Sequence, residues 1–380
     1  MIVVHKGFDG LDISFQAQTP LDVANRLEAA KAAAQADRGN PQPLEINGKR
    51  MLVAETGAKG GYQYRVDTGD FGATWKFKQP NPNDPWGIGV SMKSLPLALD
   101  GLFGAREQIE AFLDALDIVV PPNGVAIGRV DFAVDILDPE FELVADHFSN
   151  KEGASFTTYQ EPCETRHGSG KRYTGITFGK MPGRQVQFYS KRADVLKKRK
   201  VEWWPIWNRS LARLDHAPLD ASEPDESNVW RAEFRAGKKE LTKRWNIRTW
   251  EDLYARAGDV MRRLSEWATY RTPSRTDTNA SRWPLDPIWE LAQQALRDDL
   301  IDLTSEVQPE EIKRVITDEY LRMIEGQIDG LVVNWATAKG YDFREHQEAW
   351  RKLREGAGDR AHEHRLDLDE RFSKARSRFL

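Results

Sequence analysis

Cysteine is almost absent from this 380-residue chain: Cys163 is the only one. An intrachain disulfide or a cysteine-built zinc site is therefore excluded. No apolar run approaches the ~18 residues that a membrane-spanning helix needs. The start, Met1-Ile2-Val3-Val4-His5-Lys6, lacks the apolar stretch of a secretory signal. These absences suit a reducing cytoplasm and no membrane. No glycine-rich phosphate loop ending in Lys-Ser/Thr is present, so nucleotide hydrolysis by that route is unsupported. Internal repeats are missing too. The composition, 40% apolar and 30% charged, is that of a folded chain rather than a disordered one. The length favours two domains over one small core.

The net charge of −4 does not advertise a nucleic-acid binder. A phosphate backbone, however, feels local clusters rather than the average. Between Lys171 and Lys200 stand ten basic residues: Lys171, Arg172, Lys180, Arg184, Lys191, Arg192, Lys197, Lys198, Arg199 and Lys200. Asp194 is the only acid among them. From Leu214 to Asn228 the balance reverses, with Asp215, Asp220, Glu223, Asp225 and Glu226 and no Lys or Arg. Taken alone, the basic run reads equally well as a solvated surface or as a phosphate-binding one.

The first 245 or so residues read as strands with a few helices. Residues 10–16, 51–55, 62–67, 73–78 and 87–92 have strand character. Gly69-Asp70 and the proline-rich stretch 79–85 mark turns between them. Helices are expected over about 20–36 and 105–116. A third is expected after Asp138-Pro139, where Asp caps and Pro fits the first turn. From Thr249 the period becomes helical. Thr249 and Asp252 form a capping signal, Asp286-Pro287 opens another helix, and a last helix starts near Asp342 with Glu345 three residues on. The whole reads as an α+β fold: an antiparallel-rich central sheet with helices on one face, plus a C-terminal helical region. The expected domains are 1–270 and 271–380.

Three segments alternate cleanly, and period 2 assigns their faces. Residues 129–135 put Val130, Phe132 and Val134 on one side and Arg129, Asp131, Ala133 and Asp135 on the other. Residues 184–191 put Val186 and Phe188 opposite Gln187, Tyr189 and Lys191. Residues 230–235 put Trp230, Ala232 and Phe234 opposite Arg231, Glu233 and Arg235. If these strands are neighbours, one polar face gathers carboxylates, arginines, a tyrosine and a lysine. Mg2+ or Mn2+ is satisfied by one or two carboxylates with phosphate oxygens and water. The bland alternative is a salt-bridged face with no ligand, since cross-strand ion pairs are common. Two histidine motifs fail as metal sites. His362-Glu363-His364 flanks an acid in a polar helical stretch, and His167 has no partner histidine nearby.

At these residues the sequence resembles the replication initiation factor family, the Rep-trans type. Its members start rolling-circle replication of plasmids and phages, or act as relaxases of mobile elements. The resemblance is carried by Gly128–Ile136, by Tyr173–Gly179 followed by Val186–Lys191 with its Tyr-x-Lys pattern, and by Trp230–Arg235 with the helix after it. Gly7–Phe15 resembles the family's first strand. The match spans about residues 7 to 300. The family often carries Glu five residues after the motif tyrosine, where this chain has Asp194. The acidic stretch 214–228 looks like an insertion.

The resemblance implies a DNA nickase of the tyrosine type, working at an origin on double- and single-stranded DNA. Tyr189 is implied as the nucleophile, leaving a 5′-phosphotyrosine and a 3′-hydroxyl for a polymerase. Lys191, ~7 Å along the strand, would favour phenolate or hold the phosphate. Asp131 and Glu233 are implied as ligands of Mg2+ or Mn2+, with Asp135 one strand repeat further out. Arg129, Lys171, Arg172, Arg184, Arg192, Lys197, Lys198, Arg199, Lys200, Arg231 and Arg235 are the expected DNA contacts. A host helicase or polymerase is the further partner. The oligomeric state stays open, a homodimer included. Among nine tyrosines the serious competitor is Tyr173, beside Lys171-Arg172; Tyr159 is read as a loop residue. Two alternatives remain: a non-catalytic DNA-binding regulator on the same scaffold, and a metal nuclease that uses water.

Overall fold

The computed structural model describes residues 1–150, 156–162 and 171–363, together with Phe372 and Ala375. Its strands are β1 (Ile2–Phe15), β2 (Gln42–Ile46), β3 (Lys49–Val53), β4 (Tyr64–Asp67), β5 (Ala73–Phe77), β6 (Ile88–Met92), β7 (Val125–Leu137), β8 (Phe148–Asn150), β9 (Phe156–Pro162), β10 (Lys171–Gly179), β11 (Arg184–Ser190), β12 (Val229–Gly237) and β13 (Ala268–Tyr270). Its helices are α1 (Leu21–Ala36), α2 (Ser94–Ala115), α3 (Lys191–Lys198), α4 (Trp203–Ala212), α5 (Lys238–Arg244), α6 (Trp250–Trp267), α7 (Pro287–Ala295), α8 (Pro309–Ala338) and α9 (His346–Glu363). Eleven strands form one sheet in the order β2-β3-β4-β5-β6-β1-β7-β12-β11-β10-β9, and every pairing in it is antiparallel. β8 and β13 pair separately. The fold is the expected α+β class.

Directly opposed residues in an antiparallel ladder share a face. Phe132 opposes Phe234, Val186 opposes Phe234, and Ala232 opposes both Val134 and Phe188. This apolar face continues through Val130, Leu11, Ile13, Val90 and Trp75. Each large side chain buried there contributes ~1.5–3 kcal/mol. Helices cover it. Phe112 of α2 stacks on Trp75 at 4.3 Å, and Tyr64 donates to Glu28 of α1 at 2.8 Å. Trp289 of α7 meets Phe188 at 5.7 Å and Phe234 at 5.9 Å. Helices are not confined to that side, because α4 lies across one end of the polar face. Its Trp207 indole donates to Asp135 at 2.8 Å.

Two compact units divide the chain, Met1–Gln308 and Pro309–Leu380. The expected boundary near 270 thus lies inside the first unit, because Ile288, Trp289, Ala292, Leu296 and Leu300 are buried in the sheet's core. The second unit holds α8 and α9. Between them, Asp342 and Glu345 form the anticipated capping box, and His346 meets Asp329 at 3.1 Å. Thr249 and Asp252 likewise cap α6, and Asp286 caps α7.

The helix expected after Asp138-Pro139 does not form. The Asn228 amide instead binds the carbonyls of Asp138 and Phe141 at 2.9 and 3.1 Å, holding a turn that delivers Phe141 onto Trp230 and Phe188. The second expected helix begins earlier, at Ser94, and breaks at Gly101 with φ 65°. A Cβ there would stand 2.8 Å from the Leu303 carbonyl, so glycine is required on both counts. Tyr159 belongs to β9 rather than to a loop. No described helix is long and apolar enough to cross a membrane. His362 and Glu363 lie in α9; His364 and His167 lie outside the described residues.

Candidate active site on the polar face

The strand order places β7, β12 and β11 side by side, as the site requires. In register, Tyr189 opposes Arg231, Gln187 opposes Glu233, and Arg235 opposes Asp131. All project from the face opposite the aromatic core. Behind Tyr189, Phe188 stacks on Trp230 and Tyr270 with ring centroids 5.6 and 5.9 Å apart. This packing anchors the strand that presents the tyrosine. Gly175, directly across the ladder, leaves Tyr189 its room, since a Cβ there would fall 2.8 Å from the Tyr189 Cβ. Gly10 does the same for Asp131, at 2.7 Å from its Oδ2.

The Tyr189 hydroxyl donates to Glu233 Oε2 at 3.0 Å. Glu233 Oε1 accepts from Arg235 Nε at 2.6 Å. That same nitrogen lies 3.7 Å from Asp131 Oδ2. One atom thus touches both carboxylates, so they are closer than the ~8 Å over which two carboxyls can share an ion and its water shell. Arg129 grips Asp131 with two nitrogens, Nε to Oδ1 at 2.9 Å and Nη2 to Oδ2. Burial pushes the Asp131 carboxyl up to about 7, with the neighbouring Glu233 adding to the rise and Arg129 and Arg235 opposing it. Burial, and the Glu233 charge beside it, also raise the Tyr189 phenol well above its ordinary value. The tyrosine is therefore neutral here and hydrogen-bonded to a proton acceptor.

A second cluster lies at the α4 end. Arg231 is wholly buried; its Nε and Nη2 donate to Asp135 at 2.5 and 2.8 Å and its Nη1 to Asp9 at 2.6 Å. Trp203 lies over this guanidinium at 4.2 Å. Burial opposes ionisation of Asp9 and Asp135, yet Arg231 holds both below the usual carboxylate range. His5 packs edge-on to Trp203, and burial lowers it to about 4. Asp135 was expected as an outlying metal ligand and Arg231 as a phosphate contact. In the structure each is the other's internal counterion, with Trp207 of α4 donating to Asp135.

Lys191 was expected on the strand. β11 stops at Ser190, whose hydroxyl accepts from the Ala193 amide at 3.3 Å and starts α3. The lysine still reaches the site: its Nζ is 6.0 Å from the Tyr189 ring centroid, 4.5 Å from that of Trp203 and 3.5 Å from Asp194. Burial, and the nearby Arg231, lower its pKa to about 8. Tyr173, the competitor, is half-buried against the hydrophobic core.

The expected DNA contacts divide. Lys197 and Arg199 are exposed, Lys198 is exposed and pairs with Asp194 at 2.5 Å, and Lys200 is half-buried. Arg129 and Arg235 are partly exposed. Arg184 lies over Trp267 at 4.3 Å. Arg192 is turned inward onto the acidic stretch, donating to Ser227 and to the Ala221 carbonyl at 2.8 Å each. Lys171 and Arg172 lie on β10, but their side chains lie outside what the structure describes. Missed in the sequence were Asp9, which sits in a bulge of β1 between Phe8 and Gly10, and the tryptophans of α4. The i, i+4 spacing of Trp203 and Trp207 was the available sign of a packed helix face.

Among the described residues no three His, Cys, Asp or Glu side chains converge as a metal site. The donor set of Asp131 and Glu233, two carboxylates on one face, nevertheless suits a hard dication whose shell is completed by phosphate and water. No family model and no curated protein matches the chain. Among solved structures it is similar to a rolling circle replication initiator protein from Geobacillus stearothermophilus. The two are 16% identical with a TM-score of 0.41, over 79% of this chain and 98% of that one. A likeness that loose transfers neither residue roles nor activity.

Proposed function

We propose that this chain is an origin-specific DNA nickase and strand-joining enzyme that acts through Tyr189. It would initiate rolling-circle replication or the transfer of a mobile element. The observation that carries the reading is the Tyr189 hydroxyl bonded to Glu233, with Asp131 beside it, on one anchored sheet face. The Tyr189 oxygen attacks a DNA phosphorus as its proton passes to Glu233, the acceptor already in place. The bond from phosphorus to the 3′ oxygen breaks and the departing oxygen takes up a proton passed on from Glu233 or from water, leaving a 5′-phosphotyrosine, a free 3′-hydroxyl and Glu233 again as a carboxylate. The covalent link keeps the phosphoester energy, so rejoining needs no ATP.

A divalent metal held by Asp131 and Glu233 would supply Lewis-acid polarisation of the phosphate. Lys191, buried beside the phenol, supplies positive charge where the phenolate develops. Arg129 and Arg235 hold the phosphate, and the exposed part of the 197–200 run binds the flanking backbone. A second reading has an observation in its favour: both carboxylates are already paired with arginines, as suits a non-catalytic DNA-binding regulator. Nicking separates the two. Wild-type protein should relax supercoiled cognate DNA and Tyr189→Phe should bind it without cutting. If wild-type protein binds but never nicks with Mg2+ or Mn2+ present, the regulator reading stands.

A further inference from the structure

Asp131 and Glu233 are almost closed off, with side-chain exposures of 2% and 1%. What lies outermost over them is cationic: Arg129 is 33% exposed and Arg235 23%. Every carboxylate oxygen is in use. Glu233 Oε1 takes Arg235 and Oε2 takes Tyr189; Asp131 takes two nitrogens of Arg129, with Arg235 at 3.7 Å. With Asp131 ionised, the two carboxylates and two guanidiniums sum to zero charge. A dication entering this cluster would leave an excess of two positive charges in a poorly solvated place, which is unfavourable unless an anion arrives with it. A DNA phosphate is such an anion, and bidentate phosphate binding is what an arginine fork does best.

We propose that Arg235 is an exchangeable counterion that makes DNA and metal bind cooperatively. In the free protein it neutralises Glu233 and Asp131. On the DNA complex it turns to a backbone phosphate and vacates the carboxylate oxygens for the dication. Arg235 is the mover because it joins both acids and, among the described residues, its other polar contact is a 3.3 Å bond to Gln185. Arg129 has Asp12 opposite it in the ladder as a second acidic neighbour. This inference rests on the reading of Asp131 and Glu233 as metal ligands. Its consequence runs against the usual rule, in which added cations weaken DNA binding by competing for phosphate.

The test uses full-length Tyr189→Phe protein and a fluorescein-labelled single-stranded oligodeoxythymidine. Anisotropy titrations at constant ionic strength compare Mn2+ with its absence. Mn2+ should tighten binding about threefold or more, and Arg235→Gln should abolish or reverse that gain. By linkage, Arg235→Gln without DNA should bind Mn2+ several-fold tighter than its parent in spin-resonance titrations of free Mn2+. Arg235→Lys, which keeps the charge with one less fork, should retain part of the coupling and guards against a folding artefact. If the Mn2+ effect on DNA affinity is the same with and without Arg235, the exchange is wrong although the metal site stands. If Mn2+ binding survives Asp131→Asn with Glu233→Gln in the Arg235→Gln protein, the metal assignment itself falls.

Discussion

Arg231→Leu should carry a large structural cost. Leucine roughly preserves the packing bulk and removes the charge. Arg231 is completely buried and serves two carboxylates, donating twice to Asp135 and once to Asp9. Removing one partner of a buried ion pair costs ~3–5 kcal/mol, because the remaining charge is left without compensation. Here two acids are stranded, while Asp135 keeps only the Trp207 indole among the bonds described above. The expected loss is therefore at the upper end, about 4 to 5 kcal/mol, a large part of the ~5–15 kcal/mol that holds a typical domain. The pH dependence follows from the same geometry. Arg231 holds both acids below the usual carboxylate range. Their contribution is fully present above the ordinary value near ~3.9 and is lost as the pH falls below it. In the leucine variant the stranded acids rise and are neutralised as the pH drops, which relieves their penalty. The gap between the two proteins should be widest near pH 7 and narrow towards pH 4. Urea unfolding at both pH values measures it. A gap below ~1 kcal/mol at pH 7, or one that does not narrow in acid, would refute the assignment of this cluster as a buried ion network.

Asp131→Asn and Glu233→Gln keep shape and lose charge, so each should nearly abolish nicking of cognate supercoiled DNA while circular dichroism stays native. EDTA-treated wild-type protein that nicks at the full rate would remove the metal role of both. A fourfold alanine variant of residues 197–200 should weaken binding on every sequence and lower the salt slope by about one unit per lost phosphate contact. An unchanged slope would leave the cluster as solvated surface.

The alternation of the three key strands was legible because period 2 leaves no freedom: once a strand is recognised, its faces follow. That brought Tyr189, Glu233, Asp131 and Arg235 to one side correctly, and register did the rest. The capping boxes at Thr249 and Asp342 were legible for the same reason, being local hydrogen-bond grammar. What escaped depended on distant chain. Nothing near Asp135 or Arg231 in sequence announces that Asp9, more than a hundred residues upstream of either, and Trp207 of α4 will enclose them. A polar residue on a polar face reads as exposed until a helix is seen to cover it. Lys191 was placed one residue beyond its strand because Ser190 reads as a strand residue until its hydroxyl caps α3. The helix expected at Asp138-Pro139 had good local chemistry and lost to Asn228, which binds that segment from ninety residues away. Residues 271–308 looked like the start of a helical domain, and only tertiary packing shows Trp289 inside the sheet's core.

The most direct measurement is the identity of the residue that becomes covalently joined to DNA. Wild-type protein, DNA selected for binding from a random-sequence library, and Mn2+ are incubated, denatured, and digested with nuclease and trypsin. The nucleotide-bearing peptide is then sequenced by mass spectrometry. The expected result is an adduct on the peptide spanning residues 185–191, localised to Tyr189, and no adduct from Tyr189→Phe protein that binds the same DNA with nearly unchanged affinity. An adduct on the peptide spanning 173–180 would move the nucleophile to Tyr173. Cutting that proceeds with no adduct on any tyrosine would mean that water, not Tyr189, attacks the phosphate.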